Sequence, residues 1–421
     1  MTDDYDIIII GAGIAGSSCA VLCARAGLSV LLLERGERPG NKNLSGGRLY
    51  GYALRELIPD FAEHAPLERH IHREHISLLS YASSTTFSSQ LARADSWSVL
   101  RARFDPWLAD QAQNAGAQLL TQATVQALHL QDGTVCGVVC DGEIITSRFV
   151  VLAEGANSML AQQHGLVPRP AQTSMATGIK EVLTLDRATL EERFQLEENQ
   201  GVAWLFTGGV CGSRPGGAFL YTNRDTISFG VVCPLSSLSA TQPATTLLSQ
   251  VKAHPTLRPL LRGCSSVEYG AHLVPEGGLN AMPVQKGGDG WLLIGDALGS
   301  CVNTGFTVRG MDLAVLNAQA AARTLIAASQ KSGSQLFPDY HRQLERSALW
   351  AILQRYQSLP ALLQRPGWYQ RWPDFCRDVS EALWRADHTP TPPLWQLLWQ
   401  HGRRHGLSHM VADMLRSLRC L

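Results

Sequence analysis

No apolar run in these 421 residues approaches the roughly 18 that a membrane-spanning helix requires, so no transmembrane helix is expected. Neither sign of charge is in excess. The 36 lysines and arginines offset 36 aspartates and glutamates, which leaves no global attraction to nucleic acid. The opening MTDDYD lacks the basic segment and the small-residue cleavage site of an export signal. The expectation is a cytosolic protein, or one attached at most to a membrane face, whose ten cysteines are reduced. None of them falls in C-x-x-C or in a C-x-x-C-x-x-C run, so the chain supplies no iron–sulfur site of its own, and no metal ligands are assigned. Cys19 and Cys23 on one helix face, and Cys136 and Cys140 in a strand region, read as small core residues. There is no internal repeat, no long low-complexity stretch, and no Ser–His–Asp set, zinc ligand set or paired carboxylates to argue for hydrolysis.

What is present is concentrated first in residues 5–35, YDIIIIGAGIAGSSCAVLCARAGLSVLLLER. The run 7–10 suits a parallel strand buried on both faces. Gly11, Gly13 and Gly16 then give G-x-G-x-x-G where strand turns into helix. The motif needs glycine for a tight turn, for close backbone approach to a pyrophosphate and for close helix–strand packing. The helix N-terminus adds free N–H groups and a partial positive charge. Ala15, Ser17, Ser18 and Ala20 are small enough to let that helix lie flat on the sheet. A second apolar run, 30–33, ends in Glu34, where a βαβ unit places the acid that binds an adenosine ribose hydroxyl. Dinucleotide binding is the reading.

Along the chain, 39–52 is a glycine-rich polar loop expected near a ligand. An amphipathic helix is expected over 101–116, with Phe104, Leu108 and Ala112 at helical spacing. Three short β segments fill 117–147, with turns at Asp132-Gly133 and Asp141-Gly142. A buried strand follows at 149–153. Residues 173–270 carry longer β segments with one helix near 245–253, and 291–294 returns to a buried strand closing in Gly295-Asp296. A carboxylate there can accept a hydrogen bond from a flavin ribityl hydroxyl. A helix is expected over 305–329, with Gly305 opening it so that backbone N–H groups face the electron-rich end of an isoalloxazine. The last ninety residues read as helices broken by prolines. The fold class is therefore α/β, α+β overall. A Rossmann-like FAD-binding domain is expected from 1–75, 99–172 and 271–330, a β-sheet substrate or quinone domain from 76–98 and 173–270, and a helical region from 331–421.

Taken together, GAGIAG (11–16) with the Glu34-Arg35 ending, Arg101 opening RARFDPWL, AEGANS (153–158) and GDALGSCVNTGFTVRGMD (295–312) resemble FAD-binding enzymes of the glutathione-reductase-like superfamily. SGGRLY (45–50), GIKE (178–181), FLYTN (219–223), AHLVPEGG (271–278) and VNTGFTVRGMDLA (302–314) are similar to the electron-transfer flavoprotein–quinone oxidoreductases, closest to their short Fix C branch. The resemblance covers nearly the whole chain. It implies FAD, with Gly11, Ala12, Gly13, Ile14, Ala15 and Gly16 cradling the pyrophosphate and Glu34, beside Arg35, at the AMP ribose. Arg48 and Arg101 would reach the phosphates or ribityl, Gly155 would belong to the middle segment, Gly295 and Asp296 would hold the ribityl chain, and Gly305 with Phe306 would face the isoalloxazine. The middle segment departs from the family, with Glu154 where aspartate is usual. Full-length members also carry a C-terminal ferredoxin-like module, so the resemblance implies a separate ferredoxin-like iron–sulfur partner.

The implied activity is transfer of electrons from a reduced electron-transfer flavoprotein toward a quinone, with the flavin as the redox group. A prenyl (geranylgeranyl-type) reductase and an FAD monooxygenase are alternatives on the same scaffold, and a flavin-holding subunit of a larger redox complex is the non-enzyme alternative. His70, His72 and His75 form H-x-H-x-x-H without a carboxylate framework, and no metal site is assigned to them. His401, His405 and His409 should align on one helix face, solvated or turned to a partner. The tract 394–421 mixes Trp395, Leu397, Leu398, Trp399 and Leu407 with Arg403, Arg404, Arg416 and Arg419. Such a helix either packs on the flavin domain with its arginines in water or lies in a membrane interface.

Overall fold

The computed structural model describes residues 3–41, 43, 46–212, 214–238, 243–330 and 335–420. Ser45 of the SGGRLY block and the Arg419 side chain of the C-terminal tract lie outside this description. Strand Tyr5–Ile10 runs between Val30–Leu33 and Glu143–Leu152, parallel to both, with Ile8 level with Leu31 and Val150. Having neighbours on both edges, its Ile7, Ile8 and Ile9 are fully buried, as an unbroken apolar run requires. The parallel row continues outward to Gln118–Leu120 on one side and Trp291–Leu293 on the other. Ten of the twelve residues of helix Ile14–Arg25 are buried between the sheet and helices Arg101–Asn114 and Met311–Ser329. Phe104, Leu108 and Ala112 form the buried stripe of Arg101–Asn114.

A second sheet of nine strands stands beside the first. Its spine is Ser265–Pro275, Met175–Thr184, Thr226–Pro234, Gly217–Thr222, Gln200–Gly208 and Leu67–Leu79, antiparallel except for the last pair. Ser96–Val99 and Gly47–Tyr50 extend it. Each sheet has its own buried apolar core, and Tyr340, Leu344, Leu349 and Leu353 of the C-terminal helices join that of the first.

The hairpin turns fall where expected. Asp132-Gly133 and Asp141-Gly142 each take positive φ at both central residues, the backbone that two-residue hairpins favour. Other elements differ from expectation. Strand Leu67–Leu79 runs unbroken through position 75/76, and Gly47–Tyr50 joins the second sheet rather than the first. A helix, Arg187–Phe194, was not expected in the β-rich region. It is capped by the Asp186 carboxylate, which accepts from Thr189 N at 2.9 Å.

Gly305 does not open a helix. Residues 302–309 form a small hairpin, Val302–Asn303 against Val308–Arg309, and the helix begins at Met311. Branched Val302, Thr304, Thr307 and Val308 favour extended backbone, and Thr304 closes the turn by bonding Thr307 through both main chain and hydroxyl. Nor do His401, His405 and His409 share one helix face. The helix ends at Arg404, Gly406 takes φ +80°, and a new helix starts at Leu407. His405 Nε2 instead lies 2.8 Å from the Asp378 carboxylate, with His401 3.8 Å from the same group. His401 and His405 are thus turned to Asp378 inside the helical region, while His409 is exposed.

Candidate cofactor site

The two sheets and the C-terminal helices enclose one large cavity of about 1080 Å³. That is at the upper end of the roughly 300–1,000 Å³ usual for small-molecule sites and suits a dinucleotide. All the residues expected to touch FAD line it except Ala12 and Gly16, which sit behind the turn. The glycine motif shows why. A Cβ at Gly16 would fall 1.9 Å from the Gly11 carbonyl oxygen, and one at Gly11 2.4 Å from that of Ala153. At both positions the space a side chain would need is taken by the protein itself. At Gly13, by contrast, a Cβ would meet nothing within 4 Å, because that face of the backbone opens into the cavity. A cradle free of side chains at a helix N-terminus is what a diphosphate needs.

Glu34 stands at the end of its strand, where Oε2 accepts from Ala12 N (3.1 Å) and Oε1 from Gly36 N (2.7 Å). The acid thus pins the turn and faces the cavity together. Exposed Arg35 follows it on the rim. Glu154, the departure in the middle segment, is spent on local structure. Its oxygens accept from Leu160 N (2.7 Å) and Ala161 N (3.1 Å), capping a short helix beside Gly155.

Asp296 lies on a single turn, Gly295–Ala297, just past Trp291–Leu293. Its carboxylate makes no hydrogen bond among the described residues, and burial raises its pKa, with Arg101 acting in the opposite sense. An unpartnered acceptor in a cavity fits a ribityl hydroxyl. Arg101 is held one helical turn ahead of Asp105, which takes Nε at 2.6 Å and a terminal nitrogen at 2.7 Å. Arg48 lines the cavity with its guanidinium already engaged. Its fork is committed to Glu74 and to Ser96 Oγ on neighbouring strands of the second sheet, and it stacks over Tyr50. It reaches the cavity as a neutralised pair rather than as a free cation for phosphate. Gly305 and Phe306 lie at the tip of the 302–309 hairpin, with Gly305 N bonded to Asn303 Oδ1 at 2.9 Å.

Three cavity residues were not singled out by sequence reasoning, although each lies in a block quoted above. Lys180 has its pKa lowered to about 8, first by burial and then by Arg101. Its Nζ donates to Gly46 O at 3.0 Å. His272 is brought down to about 4 by burial and by Arg101, Lys180 and Arg35. Glu276 is pushed up to about 7 by burial. Arg101 is paired with Asp105, so the uncompensated positive charge on this wall rests on Arg35 and Lys180, which suits an anionic diphosphate and the charge a flavin gains on reduction. The family-like blocks also meet one another: Tyr50 OH bonds Thr307 Oγ1 (2.9 Å), and Tyr52 OH accepts from Arg309, itself paired with Asp312.

A glycine turn, a strand-end acid and a distant Gly-Asp converging on one cavity are the marks of an FAD-dependent oxidoreductase. The family model described as FAD dependent oxidoreductase matches residues 6–80 and 54–324, and the chain belongs to that family. It is 62% identical over the full length of both chains to "Probable electron transfer flavoprotein-quinone oxidoreductase YgcN" of Escherichia coli K12. It is 41% identical to protein FixC of the same strain, over all of this chain and 99% of that one. The chain is thus a member of the electron transfer flavoprotein–quinone oxidoreductase family, in its FixC-like branch, and its cofactor is FAD. The same fold occurs in a geranylgeranyl bacteriochlorophyll reductase-like protein of Thermoplasma acidophilum, at 17% identity and a TM-score of 0.72, over 98% of this chain and 99% of that one.

Proposed function

We propose that this protein takes electrons from a reduced electron transfer flavoprotein and passes them to a quinone. When bound, FAD supplies the redox chemistry; the protein positions it, excludes water and tunes its charge. On this reading Gly13 and the helix after it face the diphosphate, Glu34 the ribose, Asp296 the ribityl chain, and Lys180 and Arg101 the charge that accompanies reduction. The observation that carries the reading is the continuity of the cavity. From the glycine turn it extends to an apolar end walled by Phe206, Phe219 and Val232 of the second sheet and Leu359, Leu362 and Trp368 of the C-terminal helices. The apolar end suits a quinone ring, and we assign the second sheet to the quinone side.

Two further partners belong to the proposal. A separate ferredoxin-like iron–sulfur protein is proposed as relay, on the resemblance to the family alone. No helix among the described residues is long and apolar enough to cross a membrane. Yet Trp384, Leu394, Trp395 and Trp399 are exposed, and Arg403 lies over the Trp399 ring. Tryptophans flanked by arginine suit the headgroup layer, so this face is assigned to peripheral contact with the inner side of the cytoplasmic membrane.

The test is reconstitution with FAD-loaded protein, a reduced electron transfer flavoprotein and a water-soluble quinone, with and without a ferredoxin. Stoichiometric hydroquinone formation supports the reading. A flavin that is reduced but passes nothing to quinone in any combination refutes it. Sedimentation with anionic liposomes, before and after removal of residues 394–421, tests the membrane face separately.

A further inference from the structure

Glu276 follows directly on strand Ser265–Pro275 and lies on the cavity wall. Its N–H is fixed to the Ser174 carbonyl at 3.0 Å, so the side chain leaves from a braced position. The next two residues are Gly277 and Gly278, and a Cβ at Gly278 would meet Pro360, at the start of the helix that walls the apolar end. The carboxyl oxygen Oε1 is sealed from bulk water and has no hydrogen-bond partner among the described residues. The groups that act on the carboxyl electrostatically are the Asn303 side chain from the 302–309 hairpin, the phenol of Tyr369 from the C-terminal region, and the thiols of Cys301 and Cys233. None of these is a cation. A carboxyl without a counter-charge holds its proton to higher pH than usual, here to about 7. Cavity carboxyls that titrate near neutrality are suited to move protons.

We propose that Glu276 is the proton donor to the electron acceptor, giving its carboxyl proton to a carbonyl oxygen of a quinone seated in the apolar end of the cavity. This deepens the proposed function and rests on it. Reduction of a quinone to its hydroquinone takes two electrons and two protons. With both electrons and one proton coming from a reduced, singly protonated flavin, one proton is outstanding. The Glu276 O–H bond breaks, the quinone O–H bond forms, and the carboxylate is reprotonated from solvent after hydroquinone leaves. Asn303, facing the carboxyl, steadies the carboxylate and keeps its pKa from rising further.

The experiment uses FAD-loaded wild type, Glu276→Gln and Asn303→Ala, each reduced with dithionite and mixed with a water-soluble quinone. Wild-type reoxidation should slow as pH rises through about 7, while E276Q should be about 10²-fold slower below pH 7 and flat with pH. N303A should keep a pH-dependent rate, with its midpoint moved upward. Infrared difference spectra across the same range, taken without quinone, should show a carboxylic acid band titrating near neutrality that E276Q lacks. Reoxidation of E276Q at the wild-type rate and with the wild-type pH profile would overturn the assignment, as would absence of the band from wild type. If quinone fails to reoxidise even the wild type, the quinone reading and this one fall together. An active wild type with an unaffected variant sinks the proton donor alone.

Discussion

Asn317 Nδ2 donates to the hydroxyl oxygen of Tyr340 at 2.8 Å, and neither side chain is reached by solvent. The Tyr340 hydroxyl in turn donates to Leu293 O at 2.7 Å, while Asn317 Oδ1 accepts from Gly295 N (2.7 Å) and Ser300 Oγ (3.1 Å). Helices Met311–Ser329 and Leu336–Glu345 thereby grip both ends of the turn that carries Asp296. Replacing Asn317 by leucine strands the Gly295 N–H and leaves Tyr340 and Ser300 without this partner. With each orphaned group costing about 1–3 kcal/mol, urea unfolding should show a loss of about 3 kcal/mol. Tyr340→Phe leaves Leu293 O and Asn317 Nδ2 without this partner and should cost about 2 kcal/mol or more. FAD affinity should fall in both, because Asp296 loses its support.

The glycine motif separates folding from binding. Gly16→Ala forces a methyl against the Gly11 carbonyl oxygen, 1.9 Å away, so helix and strand must part. A loss of several kcal/mol is expected, of the order of 3 or more for overpacking at rigid backbone. Gly13→Ala has open space and should change the stability of FAD-free protein by no more than about 1 kcal/mol. Its methyl enters the diphosphate cradle instead, and FAD uptake should collapse. Thermal melts of stripped protein and fluorescence titration with FAD read the two effects apart.

Much of the first sheet is legible from sequence because its demands are local. The glycines, the run 30–33 and the Asp-Gly turns each fix a short stretch of backbone, and the structure follows them. Gly305 does not open a helix because its branched neighbours and the Thr304–Thr307 bonds favour a hairpin, which Tyr50 also braces from outside through Thr307. Arg48 reads from sequence as a contact to the phosphates or ribityl, and nothing local shows that Glu74, 26 residues later on an adjacent part of the sheet, takes its fork. Lys180 and His272 become cavity residues only when Met175–Thr184 pairs with Ser265–Pro275, which sets Gly178 opposite His272 and turns alternate side chains to one face. Nothing within either strand announces that pairing. The family-like blocks that contain Lys180, His272 and Glu276 do line the cavity, although the resemblance names none of the three groups.

Asp296 has its pKa raised by burial, with Arg101 opposing the shift. Because the folded pKa lies above the unfolded one, the ionised carboxylate costs stability above both values. Asp296→Asn should therefore leave the FAD-free protein at least as stable as wild type near pH 7. Binding should move the other way. Loss of an acceptor of charged type is worth about 1.5–3 kcal/mol, so the FAD dissociation constant should rise roughly 10- to 100-fold in Asp296→Ala, and less in the asparagine variant. Equilibrium dialysis against FAD measures it.

Lys180 gives a pH dependence whose sign can be fixed beforehand. Its folded pKa, about 8, lies below the ordinary 10.5 because burial and Arg101 both disfavour the ammonium. Between those values the unfolded chain holds more protons, so the FAD-free protein should gain stability as pH rises from about 8, the full penalty being present below it. An anionic cofactor placed against Arg101 and Lys180 restores the charged form and lifts the pKa again. Linkage then requires FAD affinity to fall as pH rises through about 8 toward 10.5, and proton uptake to accompany binding in that interval. Calorimetry in two buffers of different ionisation enthalpy detects the uptake. Lys180→Met should bind FAD with no such slope and no uptake, and an unchanged slope in that variant would assign the titration to another group.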